Sequence, residues 1–326
     1  MSLNLPVLNQ EQKQKQIIVI DASQLNTLQS CDEQLRLQYI LNLRPLQKAE
    51  ALEKGDLVHT ILEAYYRALR LRRLKMHGFE QYTRAQIVDK SCQVGAVLAP
   101  SLQLDMATAF NVISNVRDYF NFYTSDGWEP LFIEMGFSKI IFEDEDFIFV
   151  YEGKVDLVTE VAGGNQPDCI VDHKSASRSK TPHPLNNQFL GYCWALEKRN
   201  VVKNEIGFQS SYGPKDRFKR FLMSYNEAII EEWRENTIGW IQRFILSHHT
   251  GKYLRNFTSC DKWSGCQFSE LCYCAPDARQ WKMDTRYVKG EKWSPVHRAV
   301  DQDHNPFEIL EGLVEVPNVE SNSETA

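Results

Sequence analysis

No stretch of this sequence approaches the roughly eighteen consecutive apolar residues that a membrane span needs, and the longest apolar runs are strand-sized. The opening MSLNLPVLNQEQKQKQIIVI lacks a basic segment followed by an uninterrupted apolar core and a small-residue cleavage site, so no secretory leader is expected. An intracellular, reducing setting is the expectation that follows. There is no G-x-x-x-x-G-K-[ST] loop, which excludes an ATP-driven motor of the P-loop type on this chain, and no internal repeat. Basic residues are not in excess either. The 37 Lys and Arg face 43 Asp and Glu for a net charge of -6, which at face value disfavours nucleic acid as a partner. Apolar residues are not scarce, and 43% hydrophobic over 326 residues excludes a disordered or fibrous chain.

The acidic excess is local. From Ala299 to Ala326 stand seven acids, Asp301, Asp303, Glu308, Glu311, Glu315, Glu320 and Glu324, with no Lys or Arg, which leaves residues 1–298 at about +1. With Asn305-Pro306, Pro317 and the ending SNSETA, that tail reads as loosely ordered and solvated. Basic residues gather elsewhere: Arg67, Arg70, Arg72, Arg73 and Lys75 along one helix, Lys174, Arg178 and Lys180 along a strand, and Lys215, Arg217, Lys219 and Arg220 in an expected loop. Each group is either a solvated face or a source of phosphate contacts.

The eight cysteines divide too. Cys92, Cys169 and Cys193 sit among apolar or small residues and read as core. Cys260, Cys266, Cys272 and Cys274 crowd into SCDKWSGCQFSELCYCAP, and Cys31 heads CDEQLRLQYILNLRP.

Periodicity predicts two short helices from Ser23, capped by Ser23 and Ser30, a helix over about 50–76 with Leu57, Ile61, Leu62, Tyr65 and Leu69 on one face, and another over 86–123 broken near Pro100. The period then becomes two: LFIEMGFSKIIFE, FIFVYEGKVDLVTEV and DCIVDHKSA read as strands, joined by turns at Asp144-Glu145-Asp146 and Gly163-Gly164-Asn165. A helix over 185–198, a strand over 206–211 and an amphipathic helix over 225–247 complete an α/β chain with a mixed sheet.

Chemistry concentrates at the strand ends. In IVDHKS, Asp172 and Lys174 face the same side, and Asp156 of GKVDLV on the neighbouring strand converges with them. Two carboxylates there suit Mg2+ or Mn2+, and the lysine suits an attacking water and phosphate charge. His59 in GDLVHTILE, and Gln188 one turn from Tyr192 in NNQFLGYCWAL, stand on the flanking helices.

This ordered set resembles the PD-(D/E)XK nucleases of the RecB-like branch, which include phage exonucleases and CRISPR-associated adaptation nucleases. The matching motifs are G-x-x-x-H at Gly55 to His59, G-x-x-D at Gly153 to Asp156, D-x-K at Asp172 to Lys174 and Q-x-x-x-Y at Gln188 to Tyr192, over roughly Ser23 to Cys272. Asp stands at Asp172 where many relatives have Glu. The resemblance implies a restriction-endonuclease-like core, a mixed central sheet flanked by helices, with a helical N-terminal part and a C-terminal cysteine cluster. It implies that His59, Asp156 and Asp172 are metal ligands, with Glu134 a looser fourth, that Asp156, Asp172 and Lys174 are catalytic, and that Gln188 and Tyr192 line the DNA path. That branch often carries an iron-sulfur cluster held by one cysteine ahead of the core and three behind it, which here implies Cys31, Cys260, Cys266 and Cys272, with Cys274 as the alternative to Cys272. Four thiolates suit a 4Fe-4S cluster or zinc, and the absence of close C-x2-4-C pairs favours iron-sulfur.

The expected organisation is an N-terminal tail over 1–22, one nuclease domain over 23–275 with its core at about 50–250 and a staple formed by Cys31 and 258–275, and an extension over 276–326. The expected activity is Mg2+- or Mn2+-dependent hydrolysis of DNA by an exonuclease, on single strands or ends, in recombination, repair or replication. The alternatives are a CRISPR-type nuclease trimming captured DNA beside an integration partner, and a non-catalytic DNA-binding recombination partner. No membrane role is expected.

Overall fold

The computed structural model describes residues 15–46, 51–125, 127–161, 168–176, 180–208, 212–261, 265–290 and 302–311. The expected turn at Gly163-Gly164-Asn165, Arg178, Trp263 and the tail from 312 on lie outside the described residues.

A long antiparallel hairpin, β3 (Trp128–Glu143) and β4 (Phe147–Val161), is the spine of a six-stranded mixed sheet. β3 follows one edge of β4 along its length, with bulges near Leu131 and Ile141. The other edge of β4 is shared. Its first part, Phe147 to Tyr151, pairs in parallel with β1 (Gln16–Ile20), and its later part, Leu157 to Thr159, pairs antiparallel with β5 (Cys169–Ala176). Between these two ladders residues 152–156 have no strand partner on that edge among the described residues. β5 then pairs in parallel with β6 (Asn200–Gly207), reached through the helix at Asn187–Leu196, and β6 pairs antiparallel with β7 (Phe218–Ser224).

Helices cover both faces. In chain order α1 (Ala22–Ser30), α2 (Asp32–Leu35) and a π-helical turn at Arg36–Ile40 precede β2 (Leu43–Pro45). Then come α3 (Ala51–Leu74), α4 (Arg84–Leu98), α5 (Met106–Phe122), α6 (Asn187–Leu196), α7 (Pro214–Arg217) and α8 (Glu227–Thr250). The spacing of Leu57, Ile61 and Tyr65 gives α3 an apolar stripe that packs, with α4 and α5, on Ile133, Leu157, Val171 and Ile206. Leu25, Phe189, Trp233 and Ile241 bring α1, α6 and α8 against Tyr151, Val158, Ile170 and Val201 on the other face. α9 (Ser269–Tyr273), α10 (Arg279–Arg286), β8 (Tyr287–Lys289) and α11 (Glu308–Glu311) follow, and β8 pairs with β2 over a third small core of Leu37, Leu43, Phe268 and Leu271.

The mixed sheet, the broken helix near Pro100 and the three consecutive strands match the sequence reading; several details differ. Gln16–Ile20, read as part of an N-terminal tail, is a strand of the main sheet. α1 is capped by Asp21, not Ser23: the Asp21 backbone is extended, its carboxylate accepts from Gln24 N at 2.7 Å, and Gln24 Oε1 accepts from Asp21 N. Cys31, not Ser30, precedes α2. The expected loop around Lys219 and Arg220 is α7 and β7, whose alternation is disguised because the consecutive cations Lys219 and Arg220 take one position on each face.

The basic groups are mostly committed to internal partners. Arg67 is buried and pairs with Glu63, Arg70 donates to Leu131 O and to Asp303, and Arg73 meets Glu129. Arg217 holds Asn115 and Asp118, while the Arg220 guanidinium is sandwiched between Tyr123 and Trp128 at 3.7 and 3.9 Å from their ring centroids and donates to Tyr119 OH. Arg67, Arg70, Arg217 and Arg220 are thus held by partners within the fold.

Part of the expected solvated extension is packed as well. Phe307 is buried against Phe79 and Tyr82, with ring centroids 5.3 and 6.1 Å away. Phe307→Ala is therefore expected to lower stability by about 3 kcal/mol, measured by denaturant unfolding; a change under about 0.5 kcal/mol, as at ordinary surface sites, contradicts this packing.

Candidate active site

Two glycines bring the elements of the site close. A Cβ on Gly55 would lie 3.2 Å from Ser175 Oγ, so the start of α3 runs tightly over the end of β5 and sets His59 above the sheet one turn later. A Cβ on Gly153 would lie 2.3 Å from the Phe137 ring, so glycine is needed opposite Phe137 in the β3–β4 ladder, three residues before Asp156. Both motif glycines thus have packing reasons.

Asp156 stands at the end of the unpaired stretch of the β4 edge. Its Oδ2 accepts the backbone N–H of His173 at 2.6 Å, and its Oδ1 lies 3.5 Å from His59 Nδ1. Burial disfavours its charge, but His59, His173 and Lys174 outweigh that and hold the carboxyl well below the usual range. Glu134 lies across the hairpin, between Ile133 and Met135, which pair with Leu157 and Val155. It is buried and ion-paired with Lys154. Its backbone is left-handed, with φ of 50°, a conformation that costs a non-glycine residue about 1–2 kcal/mol. Burial, followed by the Asp156 charge, pushes its carboxyl up to about 7. Burial opposes charge on His59 too, yet Asp156, and more weakly Glu134, raise it to about 9. Donor atoms of His59, Glu134 and Asp156 lie within 4.8 Å of one another.

Asp172 is beside this group but outside it. Its Oδ1 accepts from Lys174 Nζ at 3.0 Å, and its buried Oδ2 has no hydrogen-bond partner. Burial and Asp156 raise its pKa against the opposing effect of Lys174, whose own pKa is raised because Asp172 and Asp156 outweigh desolvation. Of the expected ligand set, the structure draws His59, Asp156 and Glu134 tightest, so the acid with the looser motif match is the one in closest company.

Tyr192, expected to line the DNA path with Gln188, is buried. Its OH accepts from Gln188 Nε2 at 2.8 Å and donates to Lys154 O at 2.9 Å, filling part of the gap on the β4 edge, while its ring packs edge-on against Phe137. Trp194 packs against Tyr151 and Trp233 with the Lys139 ammonium 4.8 Å from its ring centroid.

A family model of the PD-(D/E)XK nuclease superfamily matches residues 20–273. The chain belongs to that superfamily. No curated protein matches it. Eleven chains of solved structures do; one, "Crystal structure of SSO0001", is 13% identical, with 71% of this chain and 77% of that chain covered at a TM-score of 0.30. No helix among the described residues is long and apolar enough to cross a membrane.

PD-(D/E)XK nucleases generally use divalent metals, and the residues here fit one. An imidazole and two carboxylates converge, and Asp172 adds a buried oxygen that lacks a donor. Hard-oxygen ligands of this kind suit Mg2+ or Mn2+.

Two members of the electrostatic cluster went unread in the sequence. Lys154 shares strand parity with Asp156, which was a usable signal for its salt bridge to Glu134. Glu63, one turn beyond His59 on α3, adds charge that helps raise Glu134.

Cys92, Cys169 and Cys193 are buried in the core. Cys31, Cys260, Cys266 and Cys272 line one small cavity with Leu37, Phe257 and Phe268, whereas the Cys274 thiol donates to Leu271 O. The cavity is closed by direct bonds between distant segments: Glu33 N donates to Leu254 O, and Asn256 and Ser259 side chains donate to Ser30 O.

Since His59 titrates at about 9 and Glu134 at about 7, the metal-free protein holds protons at neutral pH that a bound cation displaces. Apparent Mn2+ affinity should rise with pH between about 7 and 9, by up to about ten-fold per unit for one displaced proton. Calorimetric titration in buffers of different ionisation enthalpy measures the proton release, and pH-independent affinity across that window contradicts the arrangement.

Proposed function

We propose that this PD-(D/E)XK nuclease is a Mg2+- or Mn2+-dependent DNA exonuclease that hydrolyses phosphodiester bonds on single strands or strand ends. The observation that carries the reading is the convergence of His59, Glu134 and Asp156 within 4.8 Å, beside a buried Asp172 oxygen that lacks a partner and a lysine held by the same carboxyl group. A pure binding module gains nothing from burying acids where phosphate must approach, because each costs desolvation and repels the ligand. That favours catalysis over the binding-partner alternative.

In this reading His59, Glu134, Asp156 and Asp172 hold the cation, which supplies Lewis acidity and lowers the pKa of bound water. Lys174, steered by Asp172 at 3.0 Å, orients the attacking water and balances phosphate charge as the bond breaks. His173 N–H keeps the Asp156 carboxylate aimed, and Tyr192 with Gln188 fixes the strand just ahead of it. Gln188 and Tyr192 thereby shape the DNA path from behind rather than by base stacking.

Cys31, Cys260, Cys266 and Cys272 hold a structural 4Fe-4S cluster, with zinc as the competing occupant. Their joint lining of one apolar cavity supports a four-thiolate site, and the C-x5-C-x5-C spacing favours iron-sulfur over zinc. A domain closed by that contact suits threading of a strand end, which supports the exonuclease reading over a cut within a duplex. Trimming of captured DNA in a CRISPR setting is the same chemistry with a different partner.

End-labelled single-stranded DNA with Mg2+ or Mn2+ tests the activity. Asp172→Ala and Lys174→Ala should each lower the rate by at least about a hundred-fold, and wild type that cuts no DNA in either metal overturns the reading. Anaerobically purified protein should be brown with broad absorbance near roughly 400 nm, lost in Cys266→Ala; a colourless protein with one bound zinc rejects the cluster.

A further inference from the structure

The outer edge of β3 pairs with no strand among the described residues, yet its backbone is met by side chains at the point nearest the site. Gln302 turns its amide onto Ile133 as a neighbouring strand would: Nε2 donates to Ile133 O at 2.8 Å, and Oε1 accepts from Ile133 N at 2.8 Å. Arg70 donates to Leu131 O at 2.6 Å and reaches Asp303 Oδ1 at 3.3 Å, and Phe307 buries its ring against Phe79. The segment is therefore fastened again after the Gln302 contact, at Asp303 and at Phe307.

The next residue along β3 is Glu134. Its left-handed backbone needs fixed neighbours, because an edge strand free on one side relaxes toward extended geometry. A carboxylate leaving that conformation also leaves the group it forms with His59 and Asp156. We propose that Gln302 is a positioning residue for Glu134: it clamps both polar groups of Ile133, and through them holds the Glu134 carboxylate in the cation site. The proposal rests on reading Glu134 as a metal ligand.

The test is Mn2+ binding to the full-length protein without DNA, followed by the paramagnetic signal of free Mn2+. Gln302→Leu keeps similar bulk but makes neither bond, and should raise the Mn2+ Kd roughly ten-fold, the effect of losing a group that orients a ligand. Glu134→Gln should raise it at least as much, and adding Gln302→Leu to Glu134→Gln should change it no further. His304→Ala, at an exposed residue of the same segment that pairs with Glu308, should bind as wild type. In turnover, Gln302→Leu should need more Mn2+ for half-maximal rate while KM for DNA is unchanged.

If Gln302→Leu binds Mn2+ like wild type while Glu134→Gln is weakened, the positioning role is overturned. Equal weakening in Gln302→Leu and His304→Ala means general loosening of the segment and overturns it as well. Wild-type affinity in Glu134→Gln removes Glu134 from the ligand set, and the proposal falls with it. Circular dichroism and the melting temperature confirm that each variant is folded.

Discussion

The hydrogen bond from His173 N–H to Asp156 Oδ2 is the contact on which the site depends. β4 lends one edge to two strands, and between Tyr151 and Leu157 neither reaches it. A gap of that kind leaves backbone groups to be satisfied by other means. The chain fills it with side chains: Tyr192 OH takes Lys154 O, and the Asp156 carboxylate takes His173 N–H. The acid that replaces a ladder acceptor is therefore fixed by the sheet itself. β5, released from β4 beyond that point, continues against β6 through Ala176 and carries Asp172 and Lys174 on one face. The gap and the active-site geometry are one feature.

A second constraint follows from burying acids together. Glu63, Glu134, Asp156 and Asp172 share a small volume, and the cations that face them, His59, Lys154, Lys174 and Arg67, only partly offset their mutual repulsion. Burial leaves Glu134 and Asp172 with raised pKa values, while His59, His173 and Lys174 together hold Asp156 low and ionised. Strongly shifted carboxyls of this kind cluster at sites where a ligand supplies the balancing charge. His173 illustrates the support behind the site. Its ring faces away from Asp172 and stacks on Tyr66 at 5.4 Å, and Asn204, itself bonded to Tyr119, holds its Nδ1 at 2.8 Å. Arg220 completes that chain from β7.

Much of this was legible. Period-two alternation identified β3, β4 and β5, and parity put Asp172 and Lys174 on one side. The motif glycines were visible as letters, though their cause, the closeness of Phe137 and of Ser175, is a fact of packing. What stayed hidden has common physical causes. β7 was masked because Arg220 looks like a solvated charge until two aromatic rings enclose it. β1 was lost because a five-residue apolar strand beside a polar stretch has too little period to read. Glu134 gave a weak signal since its contribution depends on a positive φ, which no neighbouring glycine or asparagine announces. A formal charge of -6 said little about nucleic acid, because seven acids gather in residues 299–326 and residues 1–298 carry about +1.

The cysteine region bears on folding order. Ser30 and Glu33 are bonded to Leu254, Asn256 and Ser259 without any help from the thiols, and Arg255 donates to Cys272 O. Phe268 and Leu271, both buried, pack with Leu37 and Leu43, and β2 pairs with β8 beneath them. The two ends of the domain are thus joined by backbone and apolar contacts that already bring Cys31 to Cys260, Cys266 and Cys272. A group bound there closes a loop of more than two hundred residues that is largely closed beforehand, so the entropy it removes from the unfolded chain is large while the rearrangement it demands of the folded one is small. On that argument a group held by the four thiols would act chiefly as a lock on the folded state, and the nuclease core, whose strands and candidate metal-binding residues lie between Cys31 and Cys260, is what it would preserve.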